Sequence, residues 1–166
     1  MRRISTGEDF TVNDNVYDTL KIVLPFEDGG TFPTQNTGRG EDISPEIVIE
    51  NLSPKTVSLA VTLEDISHPV KNFTHWVIWN IPADSVIKGG IKPGKLLPDG
   101  SVQGIGYGMH RYAGPKPPKG TTHSYRLTVY SLDCMLNMSA VSFKGNFLKN
   151  VRGHILQKGC VTGKFE

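Results

Sequence analysis

The sequence predicts an all-β fold, a sandwich or a barrel, with one or two short helices near its C-terminus. Three observations carry that expectation. Gly (18) and Pro (11) make up about a sixth of the 166 residues, which favours many short elements joined by turns. Runs of alternating or wholly apolar residues recur along the chain. Between them stand turn-rich stretches with no helical repeat, so βαβ units are not expected.

The strand signals come in order. Leu20-Lys21-Ile22-Val23-Leu24 alternates, and Ile47-Val48-Ile49 follows Ser44-Pro45. Val57-Ser58-Leu59-Ala60-Val61-Thr62-Leu63 alternates strictly, which predicts one buried and one wet face. His75-Trp76-Val77-Ile78-Trp79-Asn80-Ile81 is nearly all apolar, as suits a central strand covered on both sides. Tyr125-Arg126-Leu127-Thr128-Val129-Tyr130 alternates again, with Tyr125, Leu127 and Val129 sharing a face. Turn clusters fill 27–42, 51–55, 82–90 and 99–120.

A helix is expected where Phe143, Phe147, Val151 and Ile155 recur every four residues, widened by Leu148 and Leu156. Ser139 or Ser142 would cap its start and Gly159 would end it; Gly145 and Gly153 would divide it into two pieces.

Composition narrows the function classes. The formal charge is +2 and the basic residues are scattered, so no nucleic-acid partner is expected. No apolar run reaches the length of a membrane span, and no apolar core follows Arg2-Arg3, so neither span nor export signal is expected. Cys134 and Cys160 are expected as free thiols in a cytoplasmic protein, although one bridge between them would be allowed.

Familiar motifs fail on inspection. Gly89 to Lys95 has P-loop spacing, but Leu96 stands where a hydroxyl must reach magnesium. Gly104-Ile105-Gly106-Tyr107-Gly108 has the wrong spacing for a dinucleotide loop, and a Pro-rich segment follows it. No Gly-x-Ser-x-Gly, His-Glu-x-x-His or Cys-x-x-Cys occurs. No cofactor and no resident metal are therefore expected.

What remains is polar residues at strand ends. Asp65 closes one strand, His75 opens another, and His123 stands just before a third. Loops of a sandwich gather at its ends, so the three can meet. A carboxylate that orients one imidazole, with N–H groups left for an oxyanion, makes an anion site. Trp76 and Tyr112 would line the mouth, and the Gly-Pro-rich wall from Gly114 to Gly120 would offer unobstructed amides. Two histidines and an aspartate would also suit zinc, without the short-range ligand pair zinc sites prefer.

These segments in this order resemble the phosphatidylethanolamine-binding protein family, especially its bacterial branch. Glu41-Asp42-Ile43-Ser44-Pro45 is similar to its Asp-x-Ser-Pro stretch, and Glu64 to Pro69 stands where the family reads Asp-Pro-Asp-Ala-Pro. His75 to Pro82 resembles His-Trp-x-x-x-Asn-Ile-Pro. Gly114 to Pro118 with His123-Ser124-Tyr125 resembles Gly-Pro-x-Pro-Pro and His-Arg-Tyr, and Gly153-His154-Ile155-Leu156 and Gly163 resemble its C-terminal close.

The resemblance covers residues 18–166. It implies one domain over 1–166, with 1–17 an N-terminal extension, folded as an antiparallel Greek-key β-sandwich. It further implies a small pocket for phosphate-type groups with Asp65, His75 and His123 as polar core. Trp76 and Tyr112 would sit beside it, with Gly114, Pro115 and Pro118 as wall. A homodimer and a regulatory protein partner are also implied. Ile66-Ser67-His68 departs from Pro-Asp-Ala, which removes an aspartate and adds a titratable rim residue, and Ser124 replaces an arginine.

The expected function is thus a non-enzymatic binding and regulatory protein for a small phosphate or phosphoester ligand. One alternative is a hydrolase or lyase using His75 or His123 with Asp65. Another is a protein-interaction module, of kinase- or protease-inhibitor type, with a vestigial pocket.

Overall fold

The computed structural model describes residues 17–166. The elements, in chain order, are β1 (Asp18–Thr19), β2 (Ile22–Val23), β3 (Ile47–Ile49), β4 (Ser58–Asp65), β5 (Phe73–Pro82), β6 (Val86–Ile87), β7 (Val102–Gln103), β8 (His123–Leu132), α1 (Lys144–Val151) and β9 (Ile155–Phe165). The mostly-β expectation with a short C-terminal helix holds. Most of the N-terminal extension lies outside the described residues; Tyr17 does not, and its ring faces the Lys158 ammonium at 5.6 Å.

Six strands form one sheet in the order β1-β9-β8-β4-β5-β7, and three form a second, β2-β3-β6. Wholly antiparallel pairing does not hold. β1 runs parallel to β9, with Asp18 opposite Gln157, so the larger sheet is mixed and both sheets are open. The short run 18–19 reaches the β9 edge travelling in the same direction, and it then leaves for β2 in the other sheet.

The core lies against both faces of the large sheet. On one face Leu59, Val61 and Leu63 of β4 join Tyr125, Leu127 and Val129 of β8, and Ile47, Ile49 and Ile87 of the small sheet pack on them. On the other, Ala60, Val77, Trp79 and Tyr130 pack under Phe147 and Val151 of α1. All eight residues of β4 are buried. The expected wet face of this strand is therefore dry, because β4 sits between β5 and β8 with cover above and below. Alternation here distinguishes two core faces rather than core from solvent.

The predicted helix is cut short. α1 stops at Val151, and Gly153, at φ +83°, turns the chain into β9. A residue with a Cβ is strained in that left-handed region, so glycine suits the reversal. The N-cap is Phe143 with no side-chain cap bond, instead of Ser139 or Ser142. Phe143 is exposed, and Gly159 lies inside β9. Residues 157, 159, 161 and 163 of β9 are buried in strict alternation, a strand pattern.

Cys134 and Cys160 are both free thiols. No helix among the described residues is long and apolar enough to cross a membrane.

Candidate anion-binding site

The three polar residues singled out in the sequence come together at one end of the large sheet. Asp65 ends β4 and pairs across to Tyr125 of β8 and Phe73 of β5. His123 precedes Tyr125 by two positions, so its side chain shares the face of Tyr125 and Asp65. His123 Nδ1 lies 2.7 Å from Asp65 Oδ2. The carboxylate accepts, so this ring nitrogen carries the proton and the other is left for a ligand. Asp65 Oδ1 also accepts the Ser67 amide at 3.0 Å, which fixes the carboxylate from a second side.

His75 reaches the same place through a β-bulge. Leu63 pairs with Trp76 while Glu64 pairs with Thr74, which leaves His75 as the extra residue of β5. The bulge resets the parity of the strand, so Phe73 and His75 share the cavity side although Trp76 and Ile78 belong to the core below. The His75 ring is buried, and its Nδ1 donates to the Ala113 carbonyl at 2.9 Å. Burial lowers its pKa below the usual histidine value, opposed by the bond to Ala113. The neutral ring therefore offers an unprotonated Nε2. An anion carrying its own proton can donate to that nitrogen; a fully ionised one must bring a proton with it.

Between these groups lies a cavity of about 350 Å³ lined by Asp65, His68, Pro69, Phe73, His75, Tyr107, Lys116, Pro117, Pro118, His123 and Tyr125. His68 stacks on Phe73 with ring centroids 3.9 Å apart, and its Nδ1 accepts the Val70 amide. The His68 proton is thus on Nε2, a donor at the rim. The Tyr125 hydroxyl is buried, and among the described residues its proton has no acceptor. Its pKa is raised by burial first and the nearby Asp65 charge second, so it stays a donor at any ordinary pH. A buried orphan hydroxyl beside a cavity is a group that an oxygen-rich ligand would satisfy.

Of the expected site residues, Asp65, His75, His123 and Pro118 line this cavity. Trp76, Tyr112, Gly114 and Pro115 do not. Trp76 and Tyr112 meet edge to face at 5.1 Å inside the core. The Trp76 indole donates to Gln103 and the Tyr112 hydroxyl to the Asn36 carbonyl. The Gly114 amide donates to Asp42 Oδ1 at 2.7 Å, and a Cβ at Gly114 would stand 2.2 Å from the Asn36 carbonyl oxygen. Pro115 offers its carbonyl to the Gly38 amide. These four shape the wall from behind. Phe73, Tyr107, Lys116 and Tyr125 line it as well, outside the expected set; Phe73 and Tyr125 each stand two positions from an expected histidine, and that spacing is the signal the sequence offers.

The described residues thus form a mixed β fold with an Asp–His pair and a second histidine around a small cavity. A sequence profile described as phosphatidylethanolamine-binding protein matches residues 24–166. The UPF0098 protein PH1269 of Pyrococcus horikoshii is 36% identical over 152 residues, covering 89% of this chain and 77% of its own length. A UPF0098 protein of Methanothermobacter thermautotrophicus is 37% identical over 142 residues, covering 84% and 93%. The UPF0098 protein YbhB of Escherichia coli is 34% identical over 131 residues, covering 76% and 83%. Two crystal structures share the fold at 24% identity. Escherichia coli YbcL, described as a member of the mammalian PEBP family, aligns with a TM-score of 0.79 over 89% of this chain and 98% of its own. A putative PEBP homolog, CT736 of Chlamydia trachomatis, gives 0.76 over 90% and 98%. The chain belongs to the phosphatidylethanolamine-binding protein family.

Proposed function

We propose that this protein is a non-enzymatic binding and regulatory protein whose cavity takes a phosphate-type anion, held by His123, His75 and the Tyr125 hydroxyl with Asp65 as the orienting carboxylate. The observation that carries the reading is the 2.7 Å Asp65–His123 contact beside the orphaned Tyr125 hydroxyl. Lys116 lines the cavity and adds a positive charge to its surroundings, and Pro117 and Pro118 hold the wall stiff. The family name points to phosphoester headgroups as the ligand class. In this reading the two sheets form a Greek-key sandwich over a single domain, and the protein works in the cytosol, as a homodimer, with a protein partner that reads pocket occupancy.

Calorimetric titration with phosphate, sulfate and phosphoethanolamine tests it. Affinity on the order of tens of micromolar or weaker is expected from a small, partly open site. Binding should fall beyond detection in His123→Ala. Equal heats in wild type and variant would remove the reading.

One observation favours a second reading. Asp65 orients His123 as a carboxylate orients a general base. Ser67 Oγ, however, accepts the Ser124 amide at 2.8 Å rather than a histidine contact. Turnover of phosphate or carboxylic esters that disappears in His123→Ala would establish the hydrolase or lyase instead.

A further inference from the structure

About 30 Å from the cavity, at the far end of the ten-residue strand β8, a second cluster joins Asp133, Cys134 and His154. One donor atom from each lies within 4.8 Å of the other two. We propose that this cluster is a surface site for a zinc-type divalent cation, ligated by the Asp133 carboxylate, the Cys134 thiolate and one imidazole nitrogen of His154. The sequence carries no short ligand motif because the cluster is assembled by strand pairing, which is why no metal was expected from it.

The donor set suits such an ion. Sulfur, imidazole nitrogen and carboxylate oxygen are the three ligand types zinc combines, and three protein ligands leave a fourth tetrahedral position for water or a donor from another molecule. Charge closes as well. A dipositive ion balances one thiolate and one carboxylate, with the imidazole neutral. On binding, the Cys134 thiol gives one proton to solvent and the S–H bond is replaced by a sulfur–metal bond, with no change of oxidation state.

The backbone that presents the donors is held before any ion arrives. Asp133 and His154 face each other just beyond the β8–β9 ladder, and the Asp133 amide donates to the His154 carbonyl at 3.0 Å. The Cys134 carbonyl accepts the Ser58 hydroxyl at 2.7 Å. Two positions on, Leu136 is clamped through both its amide and its carbonyl by the Asn80 side chain. The imidazole is already turned toward the carboxylate, with His154 Nδ1 at 2.8 Å from Asp133 Oδ1. Pre-oriented donors on a fixed backbone reduce the ordering that metal binding must supply. Both Asp133 and His154 are exposed, so an ion can enter directly.

Cobalt(II) is the probe, added to the untagged full-length reduced protein, followed by zinc. One cobalt per chain is expected, with a thiolate-to-cobalt charge-transfer band and the intense visible bands of tetrahedral coordination, both lost when zinc displaces it. Cys134→Ser should abolish the charge-transfer band, and Cys160→Ser should keep it. His154→Asn should weaken affinity by roughly tenfold or more. Zinc should also raise the thermal midpoint of wild type but not of Cys134→Ser. Absence of the band in wild type overturns the proposal, as does a band that survives Cys134→Ser or an affinity unmoved by His154→Asn.

Discussion

Asp65 and His123 stand 58 positions apart in the chain, yet their side chains meet at 2.7 Å where β4 and β8 end together. The contact follows from an unbroken register: every residue from Ser58 to Asp65 pairs in step with Leu132 back to Tyr125. The Asp65 carboxylate is only 4% exposed, so the imidazole and the Ser67 amide take the place of water around it. His123→Ala should destabilise the fold by about 2 kcal/mol, because it strands a buried charge. His123→Ala combined with Asp65→Asn should recover part of that loss. Urea denaturation of the two variants decides, and a single variant as stable as wild type contradicts the pairing.

His75 makes stability depend on pH with a definite sign. Burial holds its folded pKa below the unfolded value of about 6.5, so the native state binds fewer protons than the unfolded chain. Its contribution is fully present above that pH and is lost as the pH falls through it, until the folded pKa is passed. Urea midpoints measured between about pH 8 and about pH 5, in buffer free of phosphate and sulfate, should fall more for wild type than for His75→Gln. Parallel curves would show that another group carries the acid loss.

Anion binding should run the opposite way. A bound oxyanion favours the protonated His75 ring, so affinity for sulfate, which does not titrate in this range, should rise as the pH falls through the histidine range. A calorimetric affinity independent of pH would mean that His75 does not face the ion.

On the other face of the large sheet, the Lys144 ammonium of α1 contacts the buried Glu64 carboxylate, and Arg126 Nε approaches the same group at 3.6 Å. Burial pushes the Lys144 pKa down to about 8. Lys144→Met should cost about 3 kcal/mol by leaving Glu64 short of its closest cation. Lys144→Met with Glu64→Gln should return to within about 1 kcal/mol of wild type. Thermal or chemical unfolding of both variants separates a charge-balancing role from simple packing of the lysine stem.

Gly153→Ala isolates a backbone term. Among the described residues, none beyond the two chain neighbours comes within 4 Å of a Cβ built there, so the φ of +83° is what resists the change. The expected loss is about 1 kcal/mol, read as a shift in urea midpoint with unchanged slope. A stability gain would place the turn in a conformation other than the one described.

The sequence exposed the strands and the three polar residues that meet at the cavity because both depend on local pattern and on the ends of apolar runs. It did not expose register. Trp76 follows His75 directly, and only the pairing of Leu63 with Trp76 and of Glu64 with Thr74 shows that a bulge intervenes. Trp76 and Tyr112 were therefore expected beside the cavity, although they pack in the core. The helix was overextended for a related reason. A spacing of four residues satisfies both a helical stripe and one face of a strand, so Phe147, Val151, Ile155 and Gly159 fit either period. Gly153, read as a weak point inside a helix, was the boundary. The wet face expected for β4 failed because cover on both sides is a tertiary property that alternation alone does not encode.

The extra residue at His75 separates the cavity-facing start of β5, Phe73 and His75, from the core-facing run that begins at Trp76. Volume changes around Trp76 and Ile78 are absorbed below the kink, and ring chemistry at Phe73 and His75 can change above it, without either forcing a slip of the other. One irregularity in the backbone thus lets the lining of the cavity and the packing of the interior be altered by separate substitutions on the same strand.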